Sequence, residues 1–314
     1  MKLPSIFDNI ENERYHRSEE FSDYFSSSQI KNYLVSPKYS RYAWLNPEDK
    51  TSDALEFGSL YHDALACKVN KTDFNYTSFE GPINPKTGKQ YGEDTQAYQS
   101  AKIEFLSANP GVKLCKQDHM NVVNEMINQL SMGDENLSPI ICNFIKNGKA
   151  EQSHFCEYQG GLFKYRTDLK TKNCILDWKT TNLENPKPEN FERQIVDFGY
   201  HISAAMYQFF DHEITGRWRK FYWVVQEKQP PYDFTIIDAA RWAWDITTIN
   251  GEQVIEAGPG AILFMKLLET HLICLERQSW PGYSSFTMPD WKNRRIATPE
   301  PPGWYKNRII NFYL

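Results

Sequence analysis

The run FKYRTDLKTKNCILDWKTT, residues 163–181, constrains the fold more than any other part of the chain. It reads as two β-strands joined by a polar turn at 170–173. Phe163, Tyr165 and Leu169 lie in the first strand, and Cys174, Ile175, Leu176 and Trp178 in the second. Residues two apart on a strand share a face, so Asp177 and Lys179 point the same way, roughly 7 Å apart. Pairing across the turn brings Asp168 near Asp177. Two carboxylates and an ammonium then crowd the end of an otherwise apolar sheet. Neighbouring carboxylates repel unless a cation lies between them, and hard divalent ions take oxygen ligands. A lysine beside such an ion holds a water or a phosphate oxygen where charge develops. An Asp/Lys pair on one strand face is equally the mark of a solvated polar face with a weak ion pair. Spacing alone leaves both readings open.

With 314 residues the chain has room for one large domain or two small ones, each with ample core. A net charge of −5 gives no argument for nucleic acid, whose binding would need a local basic groove or acids masked by metal. Cys67, Cys115, Cys142, Cys156, Cys174 and Cys274 are scattered, with no CxxC pair. That favours buried free thiols in a reducing cytoplasm over disulfides, zinc or an iron–sulfur cluster. The polar, acidic opening MKLPSIFDNIENERYHRSEEF is wrong for a signal peptide, and no apolar run approaches a membrane span. A cytoplasmic protein with no membrane partner is expected.

Residues 1–25 read as a flexible N-terminal arm. In FSSSQIKNYLVSPKY, Ser28 is expected as a helix N-cap, Ile30, Tyr33 and Leu34 as an apolar stripe and Pro37 as the stop. Residues 52–69 read as a helix with Gly58 and His62 one turn apart on one side, where the glycine lets another backbone approach the imidazole. A helical histidine by itself is more often a surface or satisfied core residue than a ligand. Residues 70–95 read as a long exposed loop whose Lys86, Lys89 and Tyr91 meet DNA or simply face solvent. Amphipathic helices at 94–108, 118–132 and 137–147 form a helical layer ahead of the sheet. From Glu151 the period shifts to a hairpin turning at Gln159-Gly160-Gly161. After the core strands come a short helix, a longer one from Gly199 with Ile202, Ala205, Met206, Phe209 and Phe210 apolar, and a strand–turn–strand at 219–238 bending at Pro230-Pro231. A buried helix within 255–279 follows, then an aromatic segment with Trp280, Tyr283 and Trp291 that covers the core or stacks on bases.

Asp168 followed by Asp177-Trp178-Lys179 resembles the D…(D/E)xK core of the PD-(D/E)XK nuclease superfamily. Further segments resemble its RecE-like exonuclease VIII branch: Ser26-x-Ser28 with Ser36-Pro37, Gly58-x-x-x-His62, Gly199-Tyr200-His201 with Ala204, Ala205 and Tyr207, and the runs EKQPPY, WPGY and MPDW. The resemblance covers about 26–292 as a single nuclease domain and leaves 293–314 as a C-terminal tail. It implies an α/β (α+β) restriction-endonuclease-like core, a central mixed β-sheet flanked by helices with an N-terminal helical layer. It also implies Mg²⁺, with Mn²⁺ as substitute, held by His62, Asp168, Asp177 and the backbone carbonyl of Trp178. Lys179 would position the attacking water, Tyr207 would orient a phosphate or Lys179, and Glu151 would lie near the metal or simply at the surface. Where relatives carry a glutamine this chain has Ser203, which acts through a water or is compensated by Gln194 or Gln208. The implied activity is 5′→3′ digestion of one strand of linear duplex DNA by a ring-shaped homo-oligomer, of phage or prophage kind. A 3′ tail would remain for a single-strand annealing protein. Two alternatives stand beside it: a superfamily nuclease acting on single-stranded DNA or as an endonuclease, and a non-catalytic DNA-binding or scaffold subunit of a recombination complex.

Overall fold

A computed structural model of the chain describes residues 3–8, 10–48, 52–182 and 187–282. The first elements are β1 (Ser5–Phe7), α1 (Asn12–Arg17), α2 (Ser27–Lys31), α3 (Pro37–Leu45) and α4 (Asp53–Asn70). A peripheral layer follows, with β2 (Tyr76–Ser78), α5 (Gln96–Ala108), β3 (Lys113–Cys115), α6 (Gln117–Met132) and α7 (Leu137–Asn147). The core strands β4 (Lys149–Tyr158), β5 (Gly161–Lys170) and β6 (Cys174–Thr181) lead through α8 (Pro188–Asp197) and α9 (Tyr200–Thr215) to β7 (Lys220–Glu227) and β8 (Phe234–Asp238). A small hairpin, β9 (Trp244–Ile249) and β10 (Glu252–Ala257), precedes α10 (Pro259–Arg277).

The main sheet has the order β1-β4-β5-β6-β7-β8. Only β6 and β7 run parallel, because the α8–α9 crossover carries the chain back to the starting edge. Alternation along β6 divides the core. Leu176 and Trp178 face Tyr61, Leu65, Met126 and Ile141 on one side, while Ile175 joins Phe210 and Phe264 on the other. The result is a mixed sheet between two helical layers, as expected from the sequence.

Several local expectations are corrected. The described residues of 1–25 are no loose arm: β1 pairs with β4, and Tyr15, Phe21 and Tyr24 surround Phe155. The buried Lys164 ammonium fastens this segment by donating to the carbonyls of Tyr15 (2.9 Å) and Phe21 (3.1 Å). Ser26, not Ser28, caps α2, in a reciprocal capping box with Gln29, whose side-chain oxygen accepts from the Ser26 N–H at 2.7 Å. Pro37 starts a helix rather than stopping one, with Ser36 as its cap accepting from Tyr39 N–H. The 70–95 stretch contributes β2, which pairs with β3. Tyr283, Pro289, Trp291 and the tail 293–314 lie outside the described residues.

Candidate active site

Helix α4 delivers His62 because its middle and its C-terminal end are tied to the sheet. Ser52 caps its start, accepting from Leu55 N–H at 3.2 Å, and Tyr61 donates to Gln226 on β7 at 2.7 Å. At the far end the Asn70 amide bonds both backbone groups of Ala150, at 3.2 and 3.0 Å. His62, next to the buried Tyr61, then reaches β5, its Nδ1 3.4 Å from Asp168 Oδ2.

The turn at Gln159-Gly160 sets the β4–β5 register, and that register places Glu151 directly opposite Asp168, between the pairs Ala150↔Leu169 and Gln152↔Thr167. Glu151 has φ 55°, the left-handed region, inside a strand. Such backbone costs a non-glycine residue about 1–3 kcal/mol and persists only where neighbours hold it. Here Asn70 pins the preceding Ala150, and Arg166 lies 3.6 Å from the Glu151 carboxylate.

Strands β5 and β6 pair only at Leu169↔Leu176 and Lys170↔Ile175 before diverging. The divergence would orphan the Trp178 N–H, which instead donates to Asp168 Oδ2 at 2.8 Å. In extended backbone a residue's N–H and C=O point to the same side, so the Trp178 carbonyl faces the same gap. Asp177 and Lys179 share the adjoining face, with Nζ 2.7 Å from the carboxylate and 4.7 Å from the Tyr200 ring centroid.

The ligating atoms of His62, Glu151 and Asp168 all lie within 4.8 Å of one another. Burial pushes Asp177 up to about 6, against Lys179 and with the help of Asp168. Burial, reinforced by Asp168, likewise pushes Glu151 up to about 7. Asp168 goes the other way: burial would raise it, but His62, Lys179 and the hydrogen bonds around it hold it well below the usual carboxylate range. For His62 burial opposes the charge, yet Asp168 outweighs it and raises the imidazole to about 9. Burial also opposes the Lys179 charge, and Asp177 and Asp168 more than restore it.

Residues 26–259 match a family described as "PDDEXK-like domain of unknown function" (DUF3799). The chain belongs to this family. Its fold is also similar to the crystal structure of a "putative exonuclease" from Eubacterium rectale, with a TM-score of 0.51 and 16% identity over 93% of this chain and 96% of that one. No curated protein matches the sequence. The comparisons place the chain in the PD-(D/E)XK superfamily without selecting the RecE-like branch.

Within this PDDEXK-like domain the residues suit a divalent cation. One imidazole and two carboxylates converge, a third carboxylate and a backbone carbonyl adjoin them, and two of the acids are driven toward protonation by burial, with Asp168 adding to it. The sequence-derived residues His62, Asp168, Asp177 and Lys179 come together at this point, with Asp177 committed to Lys179 and Glu151 completing the compact triad. Tyr207 is partly buried nearby, within the field of Asp177 and Asp168, its ring 5.2 Å from Tyr165. Gln194 stands farther along, donating to Thr181 Oγ1 at 3.3 Å. The buried Gln208 is used structurally, bonding the backbone of Arg219 and Trp244. No hydrogen bond among the described residues ties the Ser203 hydroxyl to the triad. Gly58, expected to admit another backbone, faces open space: a Cβ there would meet nothing within 4 Å.

Sequence reasoning missed Lys31 and the Tyr200 platform. Lys31 donates to the Phe198 carbonyl at 3.1 Å, and burial together with the Lys179 charge lowers it to about 8. The contact spans 167 positions in the chain, and nothing in the α2 sequence announces it.

Proposed function

We propose that this protein is a Mg²⁺-dependent exodeoxyribonuclease that digests one strand of linear duplex DNA in the 5′→3′ direction and leaves a 3′ single-stranded tail. The convergence of His62, Glu151 and Asp168 beside the Asp177–Lys179 pair carries the hydrolytic part of this reading. Polarity and product rest on the resemblance to RecE-like exonucleases, and the likeness to a protein described as an exonuclease is compatible with them.

His62, Asp168, Asp177 and the Trp178 carbonyl would hold the ion, Mg²⁺ or in its place Mn²⁺, with Glu151 directly or through a water. Bound there, the cation would supply Lewis acidity toward the phosphate and lower the pKa of a coordinated water. The protein's own groups do the rest. Lys179, kept charged by Asp177 and steered by the Tyr200 ring, aims its ammonium at the attacking water and the charge developing on phosphate. Asp168 fixes two other elements at once, accepting from the Trp178 N–H and facing the His62 imidazole. Tyr207 stiffens the floor through its ring contact with Tyr165.

The same resemblance supports a ring-shaped homo-oligomer threaded by DNA, a single-strand annealing protein as partner and a bacterial or phage-infected cytoplasm as the setting. A time course on linear duplex labelled at the 5′ or the 3′ end tests the core of the reading. Release of 5′ label as mononucleotides, with closed circles spared, is expected. Cutting of closed circles would make the enzyme an endonuclease, and preference for single strands would move it to another superfamily branch. Absence of cleavage with any divalent metal would leave a DNA-binding scaffold.

A further inference from the structure

We propose that Phe198 and Lys31 form a nucleotide-binding ledge beside the metal cluster, Phe198 stacking on a base of the bound DNA strand and Lys31 pairing with a phosphate of that strand. The assignment rests on the nuclease reading above. Single exposed apolar side chains are normal on protein surfaces; what separates Phe198 is how it is held. It follows α8, is 57% exposed, and lies with one face on Tyr200 at 5.5 Å and 30°. Tyr200 in turn lies on the buried Phe191 at 5.8 Å and 22° and carries the Lys179 ammonium at 4.7 Å. The outer ring is therefore braced from below and open above, one aromatic step from the lysine that faces the scissile phosphate.

Lys31 is fixed at the same place. Its ammonium donates to the Phe198 carbonyl, and its stem fills the space over Gly199, with Cδ 2.8 Å from where a Cβ would stand. Gly199 has φ 62°, so a glycine suits both the backbone turn and this close packing. Lys179 has a carboxylate partner in Asp177, whereas Lys31 enters no ion pair among the described residues. A half-buried ammonium bonded to a carbonyl, with Lys179 and more weakly Asp177 in its field, makes no direct contact with an anion among the described residues, and a phosphodiester would supply one. An aromatic face next to a lysine holds a nucleotide without reading its sequence, as an enzyme digesting arbitrary DNA requires.

The test uses the full chain with a linear duplex carrying 2-aminopurine at its terminal positions, in Ca²⁺ to measure binding and in Mg²⁺ to measure hydrolysis. Phe198→Ala should abolish the stacking quench and raise KM for DNA about tenfold, with kcat changed less than KM. Phe198→Trp should restore both. Lys31→Ala should lower the slope of log affinity against log salt by about one, and Lys31→Arg should recover it. Unchanged thermal melting of Phe198→Ala shows that the exposed ring is not a folding element. If the wild type cuts DNA while both alanine variants keep its quench, KM and salt slope, the ledge falls and the nuclease stands. If the wild type cuts no DNA with any divalent metal, both fall.

Discussion

Two buried clusters of charge sit at different places on the central strands, and their balance differs. Around Asp211 on α9, a fully buried carboxylate meets Lys170 at 2.9 Å, Arg219 and the Tyr165 hydroxyl. Arg219 also donates to the Thr171 and Lys172 carbonyls, closing the β5–β6 turn. One acid is matched by two cations and further donors, as expected of an ionic cluster whose task is to hold elements together. Around Asp168 the ratio changes. Three acids, Glu151, Asp168 and Asp177, face Lys179, the largely buried Arg166 and a histidine that stays charged only because of Asp168. The first cluster has fixed cations to spare; the second balances only while the imidazole keeps its proton, a charge that a divalent cation would replace.

The largest effects should separate these clusters by kind. Lys179→Ala is expected to cut hydrolysis by about a thousandfold in a protein that still folds and still binds DNA and metal measurably. Asp211→Ala should do the opposite: it strands two buried cations and should cost about 3–5 kcal/mol of stability in denaturant titration, with the metal response retained in the folded fraction. A Lys179→Ala enzyme of near-normal rate would remove that ammonium from the chemistry. A second comparison is the response to metal. Mg²⁺ or Mn²⁺ at a hundredfold excess over Kd should stabilise the wild type by about 2.7 kcal/mol, and Asp177→Ala or Asp168→Ala should lose that gain. A shift that survives in Asp177→Ala would place the ion with His62, Glu151 and Asp168 alone.

Much of this arrangement was legible in residues 163–181, because strand alternation and a short turn dictate which side chains meet. The layered fold followed from periodicity for the same reason: α5, α6 and α7 fall where the amphipathic patterns at 94–108, 118–132 and 137–147 put them. Glu151 was readable too. Counting seven residues back from Tyr158 and seven on from Gly161, the pair flanking the turn, sets it against Asp168. Its position ahead of the obvious apolar run hid that register. Other features depend on contacts no local pattern encodes. The N-terminal segment is polar overall and folds because three aromatic rings find Phe155 from far along the chain. Pro37 carries two meanings, stop and start, and the Ser36 cap decides between them only once α3 has a surface to pack on.

The pH dependence sharpens the contrast further. In the metal-free protein Glu151 and Asp177 are raised to about 7 and about 6, so the folded state binds more protons than the unfolded one between about pH 4.5 and those values. Stability therefore falls as pH rises through that window. His62, raised to about 9, adds stability that is fully present below its unfolded pKa of about 6.5 and lost as pH rises toward 9. All three push the same way, and a metal-free melting curve should decline from pH 5 to 9. Asp168, lowered, acts only at acid pH, where its contribution is lost. Because metal needs the deprotonated acids and the neutral imidazole, the Mg²⁺-induced melting shift should grow over the same range. Glu151→Gln should flatten the metal-free decline and stabilise the apo protein by about 1 kcal/mol. A metal-free profile that rises from pH 5 to 7 would mean the acids are not under-neutralised.

The smallest effect concerns Gly58, one turn before His62 on α4. A glycine inside a helix costs about 0.5–1 kcal/mol relative to alanine, and here no neighbour within 4 Å requires it. Gly58→Ala should then raise the melting temperature by a few degrees, since a new methyl meets only open space and the helix gains propensity. If the space is where the DNA backbone passes beside the triad, the same methyl should raise KM for DNA severalfold without touching the metal-induced shift. A stabilised variant with unchanged KM would show that the strand approaches from the opposite side, over Tyr200 and Lys31, and would leave the glycine as a cost the fold could shed.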